Sequence, residues 1–161
     1  MKGKNVKKKN TLSPVEAGLL PRGWQDGFAM ASEARQHAYV PYSGFAVGFA
    51  LHLGDSDGIH QFMPGVNVEN ISYGATICAE RSALVAAISR FGSRSFDYGV
   101  LVTDADPPAL PCALCLQVIS ELCGPAFRLV ICDLTGPRNI YRLEELLPHR
   151  FETFPGAPTT S

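Results

Sequence analysis

Apolar positions in this chain gather into short runs of two kinds, and their alternation outlines a fold. From Trp24 to about Ala38, Phe28, Ala29, Ala31 and Ala34 recur among polar residues, which predicts an amphipathic helix. Pro41, Tyr42, Ser43 and Gly44 form a turn cluster. Phe45 to Leu53 is apolar throughout except His52, the pattern of a well-buried strand. Gly54-Asp55-Ser56-Asp57-Gly58 then signals a hairpin into a second strand, about Ile59 to Val68, where Pro64 marks an edge or a bulge.

Beyond Gly74, Ala83, Leu84, Ala87 and Ile88 repeat at helical spacing and predict a helix from about Ile77 to Phe91, stopped by Gly92. Tyr98 to Val102 reads as a short buried strand. Pro107, Pro108 and Pro111 stiffen the loop before a helix that opens at Cys112 and runs to about Leu122, ended by Gly124 and Pro125. Phe127 to Cys132 and Ile140 to Leu143 read as strands, and Leu143 to Leu147 as a final helical turn before Pro148. Helices alternating with apolar strands behind an N-terminal helix and hairpin predict an α/β fold, three layers α/β/α around a mixed, roughly five-stranded sheet.

Composition narrows this only slightly. The 161 residues suffice for one domain, and 46% hydrophobic with 18% charged is ordinary for a soluble globular protein. No apolar run approaches the ~20 residues that span a bilayer, so no membrane role is expected. Lys2, Lys4, Lys7, Lys8 and Lys9 crowd the first nine positions of a chain whose net charge is −1. Residues 1–21 are therefore read as a basic, disordered tail, residues 22–155 as the catalytic domain, and 156–161 as a flexible C-terminus. The basic stretch lacks the apolar segment and cleavage site of a secretory signal, which points to the cytoplasm. A near-neutral body argues against a nucleic-acid partner, the alternative use of the lysine cluster.

Cysteine placement changes the picture most. Five cysteines, Cys78, Cys112, Cys115, Cys123 and Cys132, are an odd count without a secretion signal, which disfavours a disulfide framework. Cys78-Ala79-Glu80 and, some thirty residues on, Pro111-Cys112-Ala113-Leu114-Cys115 both fall at predicted helix starts. Free N–H groups and the helix dipole stabilise thiolates there. Three cysteine ligands leave one tetrahedral position open, the arrangement of a catalytic zinc ion, one per chain. His37, His52, His60 and His149 offer no fourth ligand at a recognisable spacing. Glu80, two residues after a ligand, is placed to exchange protons with a metal-activated water without ligating the metal. Three such ligands with a non-ligand Glu form the zinc deaminase pattern. Cys123 and Cys132 read as core thiols.

At these residues the chain resembles the small homotetrameric zinc-dependent cytidine deaminases, over roughly residues 25 to 152. The matching blocks are Ala38-Tyr39-Val40-Pro41-Tyr42-Ser43-Gly44-Phe45, Val66-Asn67-Val68-Glu69-Asn70, Ile77-Cys78-Ala79-Glu80-Arg81, Pro111-Cys112 through Gln117-Val118-Ile119, and Glu145-Leu146-Leu147-Pro148 with Phe151 beyond. The resemblance implies a cytidine-deaminase-like fold and hydrolytic deamination of cytidine or deoxycytidine to the uridine product and ammonia, as in pyrimidine salvage. It implies substrate contacts from Phe45 on the pyrimidine, Asn67 and Glu69 on the ribose hydroxyl, and the Ala79 backbone on the base. Tyr42 would line the pocket wall, Tyr73 and Phe151 would reach into a neighbouring subunit's site, and Arg81 would donate to the thiolates. Shared active sites in a homotetramer follow from the same resemblance. Ala113-Leu114-Cys115-Leu116-Gln117 departs from the Gly-x-Cys-Arg-Gln usual in the family, and Ile71 replaces a small residue. These departures keep open a second substrate class, an N4-substituted cytidine or a cytosine-nucleoside antibiotic.

Overall fold

The computed structural model describes residues 18–152. The basic cluster at positions 2–9 and the expected C-terminal segment 156–161 lie outside the described residues, as do 153–155 of the expected domain. Five strands form one sheet in the order β2-β1-β3-β4-β5: β1 Gly48–Ser56, β2 Ile59–Val66, β3 Tyr98–Val102, β4 Arg128–Asp133 and β5 Gly136–Arg142. Only β3 and β4 run parallel; the other neighbours are antiparallel, so the sheet is mixed. The helices that pack on it are α1 Trp24–Ala34, α2 Ala79–Phe91, α3 Ala113–Cys123 and the short α4 Leu143–Leu146.

Layering follows from the two-residue period of the strands. In the central strands, Phe49, Leu51, Leu101, Leu129 and Ile131 face one side, where Ala83, Leu84 and Ala87 of α2 and Leu116 and Ile119 of α3 complete the core. Ala50, Val100, Val102, Val130 and Cys132 face the other side, covered by Ala31 of α1 with Phe28 and Met30 against it. Strands buried on both faces read as continuous apolar runs. That is why β3, buried at every position, was legible with its observed bounds. Cys132 packs in this core and Cys123 against the opposite one, the places expected of them. Close packing of α1 needs glycine: a Cβ at Gly48 would meet the Ala31 carbonyl oxygen at 2.0 Å.

Several boundaries differ from the sequence expectation: the last strand opens at Gly136 rather than Ile140 and the first runs on to Ser56, and three further differences have a local reason. The first helix ends at Ala34 and tightens into a 3-10 turn over Arg35–His37. There Arg35 donates to the Ala46 carbonyl at 2.9 Å and pairs with Asp104 at 2.6 Å. The first strand begins at Gly48 rather than Phe45, because the Asn67 side chain, not a neighbouring strand, bonds the 45–47 backbone. The second strand stops at Val66, and Val68 instead bridges both Tyr39 and Ile77. Pro64 sits on β2 at the sheet edge, where a missing N–H is tolerated.

Candidate active site and metal centre

The two cysteine elements adopt the same backbone geometry. Cys78 is the N-cap of α2 with φ −75° and ψ 158°, and Cys112 is the N-cap of α3 with φ −69° and ψ 161°. Neither side chain caps its own helix, so both sulfurs remain free to point between the helices. From these caps, the first turn of α2 carries Glu80 and Arg81, and that of α3 carries Cys115.

The three sulfurs meet. Cys78 Sγ lies 3.8 Å from Cys112 Sγ, and Cys112 Sγ lies 3.4 Å from Cys115 Sγ. Tetrahedral zinc with Zn–S bonds of about 2.3 Å would hold its sulfurs roughly 3.8 Å apart. Spacing and donor softness therefore both fit zinc. Among the described residues no histidine joins this group, which leaves a three-ligand centre.

Electrostatics prepare the sulfurs for a cation. Hydrogen bonding with Cys115, and then with the Arg81 guanidinium, draws the Cys78 thiol down to about 5. The same shared hydrogen bond, together with burial, pushes Cys115 upward, so Cys78 carries the charge of the pair. Arg81 Nη2 donates to Cys78 Sγ at 3.6 Å and to the Thr76 carbonyl at 2.9 Å. That carbonyl anchors the guanidinium beside the Cys78 sulfur.

Glu80 is almost completely buried, at 4% exposed. Burial raises its carboxyl to about 7, with the Cys78 charge a smaller contribution in the same direction. A carboxyl poised near neutrality is suited to accept and return protons.

A cavity of about 170 Å³ opens against this centre, lined by Cys78, Ala79, Glu80 and Cys112 with Phe45 and Asn67 across from them. A second, more open cavity of about 420 Å³ is lined by Tyr42, Ser43, Glu69, Tyr73 and Thr76. Thr76 lines both, so the two adjoin.

Asn67 spends one donor on the Phe45 carbonyl and one acceptor on the Val47 N–H, each at 2.8 Å. It thereby holds the Phe45 aromatic in place while keeping one N–H and one lone pair to offer. The Glu69 carboxylate accepts from the backbone N–H groups of Tyr42 and Ser43 and from the Ser43 hydroxyl. These bonds, the hydroxyl's foremost, hold its carboxyl below the usual range.

Tyr42 and Tyr73 meet edge to face with ring centroids 6.4 Å apart. Tyr73, 75% exposed, projects outward. Phe151 lines neither cavity: its backbone N–H and C=O are both bonded by the Gln117 side chain, at 3.1 and 2.8 Å. Sequence reasoning missed Thr76 and Thr103 in the lining and the Gln117 clamp. Nothing in their spacing distinguishes them from ordinary polar residues.

The family model for the cytidine and deoxycytidylate deaminase zinc-binding region matches residues 24–131. The chain belongs to this family. Similar proteins include a cytidine deaminase of Halalkalibacterium halodurans, 43% identical over 121 residues, 75% of this chain and 88% of that relative. A cytidine deaminase of Mycobacterium tuberculosis is 40% identical over 75% of this chain and 84% of its own length. Among solved structures, cytidine deaminase from Burkholderia pseudomallei superposes with a TM-score of 0.72 at 37% identity, covering 79% of this chain and 98% of that one. The Mycobacterium leprae enzyme gives 0.66 at 32% identity, covering 80% and 100%.

The protein is thus a hydrolytic deaminase of a zinc-dependent family, with the α/β fold of its solved relatives. Leu116, the residue that departs from the usual arginine, is buried in the deaminase's core. At this position the side chain packs into the core, and Arg81 is the cation hydrogen-bonded to the Cys78 sulfur.

Proposed function

We propose that this deaminase acts on free cytidine and deoxycytidine, with Cys78, Cys112 and Cys115 as the zinc ligands. The observation that carries this reading is the pair of cavities joined at Thr76. The inner one, about 170 Å³, has room for a pyrimidine ring and abuts Glu80, and the outer one would take the sugar. The outer lining contains the Glu69 carboxylate and, among the described residues, no cation, which disfavours a phosphorylated substrate.

Bound by the three thiolates, zinc supplies Lewis acidity that makes water nucleophilic near neutral pH. Glu80 accepts a proton from the attacking water and delivers it to N3 of the ring as the C4–O bond forms. It then takes the remaining hydroxyl proton and passes it to the amine, so that the C4–N bond breaks with release of ammonia. Phe45 packs on the ring and the Ala79 backbone contacts its edge. Asn67 and Glu69 fix the sugar hydroxyl, and Tyr42 walls the sugar side. Arg81 offsets the net negative charge of three thiolates on Zn²⁺.

The catalytic unit is residues 22–155, and it works as a cytoplasmic homotetramer. Exposed Ile71, Tyr73, Leu114 and Phe151 support association, being apolar surface that a second copy would cover. In that assembly Tyr73 and Phe151 reach a neighbour's pocket. No helix among the described residues is long and apolar enough to cross a membrane.

Loss of absorbance near ~280 nm, followed for cytidine, deoxycytidine, deoxycytidylate and N4-methylcytidine with zinc quantified on the same sample, tests the assignment. Turnover of both free nucleosides with deoxycytidylate far slower is the expected outcome. Preference for the N4-substituted compound would transfer the assignment to modified cytidines, and preference for deoxycytidylate would overturn the reading of the outer cavity.

A further inference from the structure

We infer that the turn end of the β1–β2 hairpin holds a second divalent transition-metal ion, of the zinc class, on His52 Nε2, Asp55 Oδ1 and His60 Nδ1. These three atoms already converge: His52 Nε2 and His60 Nδ1 lie 3.0 and 2.7 Å from the same Asp55 oxygen. The grouping is built by the strand register. Residues 52 and 55 of a regular strand point to opposite faces. A bulge in β1 between His52 and Gly54 absorbs one residue and turns Asp55 onto the face of His52. Asp55 is then the direct cross-strand partner of His60.

The site is rigid on two of its three sides. His52 is buried and stacks on Tyr98, with ring centroids 4.4 Å apart and planes 20° apart, and Phe62 packs beside it at 5.3 Å. Its Nδ1 is buried without a partner, so Nε2 is the ring's only polar contact. The His60 ring lies over Gly23, where a Cβ would meet it at 2.3 Å. Tyr98 in turn donates its hydroxyl to the Arg22 carbonyl at 2.8 Å. Asp55 is half exposed and gives an ion its path from solvent.

Two imidazoles and one carboxylate select zinc-like ions over Mg²⁺ or Ca²⁺, which take oxygen, and over Cu(I), which prefers sulfur. Tetrahedral zinc would space such donors about 3.3 Å apart, so the exposed Asp55 oxygen would retreat by about 0.3 Å from His52 and about 0.6 Å from His60. The site lies at the opposite end of β1 from the Phe45–Val47 segment beside the thiolates. An ion here would clamp the two strands of the hairpin and fix the His60 ring that packs over Gly23 before α1, and would take no part in deamination. The inference therefore stands independently of the proposed substrate.

Titrating the metal-free full chain with Zn²⁺ against a chromophoric chelator, with imidazole NMR on the same samples, tests it. Expected are two equivalents per chain, the second shifting the His52 and His60 signals. His60→Gln and Asp55→Asn should each weaken that second event roughly tenfold or more, leaving the first equivalent and turnover intact. A single equivalent in the wild-type chain overturns the inference, as does a second one that persists in both variants. Since the wild-type imidazole shifts decide the question directly, poor folding of a variant does not protect it: a second equivalent that moves other histidines instead also overturns it.

Discussion

Glu80→Gln is expected to retain zinc and fold while turnover falls by roughly a hundred- to ten-thousandfold, the range for loss of a general acid–base group. Glutamine preserves the shape and hydrogen-bonding reach of the buried side chain in the inner cavity, but it cannot carry a proton between water, N3 and the amine. Burial already lifts the native carboxyl to about 7, so the wild-type group is suited to both halves of the transfer. KM should change little, because the lost interaction belongs to the transition state more than to bound substrate. Steady-state kinetics with zinc content measured on the same preparation would check this. Activity within a few-fold of wild type would remove Glu80 from the mechanism.

Cys112→Ala should abolish turnover by a different route, through loss of the metal. Thiolate-rich zinc sites in small domains contribute about 10–16 kcal/mol of binding, and removing one of three sulfurs forfeits several of these. Cys112 is the informative ligand to remove because it is exposed, whereas Cys115 is buried in the first turn of α3. Zinc content well below one per chain, with little change in circular dichroism, is the expected result. Cys123→Ala provides the contrast, since that thiol packs against the core and lies outside the sulfur cluster. It should keep its zinc and its activity while losing some thermal stability. Full zinc retention in Cys112→Ala would mean that the ion is held elsewhere.

The cysteine cluster was legible in the sequence because each half of it is local. A cysteine at a helix cap and its partners within the next turn are set by helical geometry alone, and each half of the centre needs only its own few residues. The strands were legible for a related reason: burial on both faces writes a continuous apolar run. What escaped notice depends on the alignment of distant segments. His52, Asp55 and His60 converge only because one extra residue bulges from β1 and the hairpin pairs Asp55 with His60. Nothing in the spacing of the histidines discloses that. Asn67 was expected to face the sugar; what the structure shows is its side chain stapling the 45–47 backbone. A side chain with two donors and two acceptors can serve both ends, and composition alone cannot reveal the second. Leu116 read as a missing charge because the motif was read linearly. On the folded helix the same position faces inward.

The bidentate grip of Gln117 on Phe151 has a further consequence. Gln117 stands on α3 two positions after Cys115, while Phe151 lies 34 residues farther along the chain. A ligand that firms the first turns of α3 is expected to firm this grip as well, so zinc binding at the sulfurs should slow hydrogen exchange at the Phe151 amide. Backbone amides of exposed segments outside helices and strands ordinarily exchange their hydrogens with solvent freely. Here the Phe151 amide is tied to the helix that bears two of the three thiols, which makes its isotope exchange a remote gauge of metal occupancy, read without a label or probe near the ligands themselves.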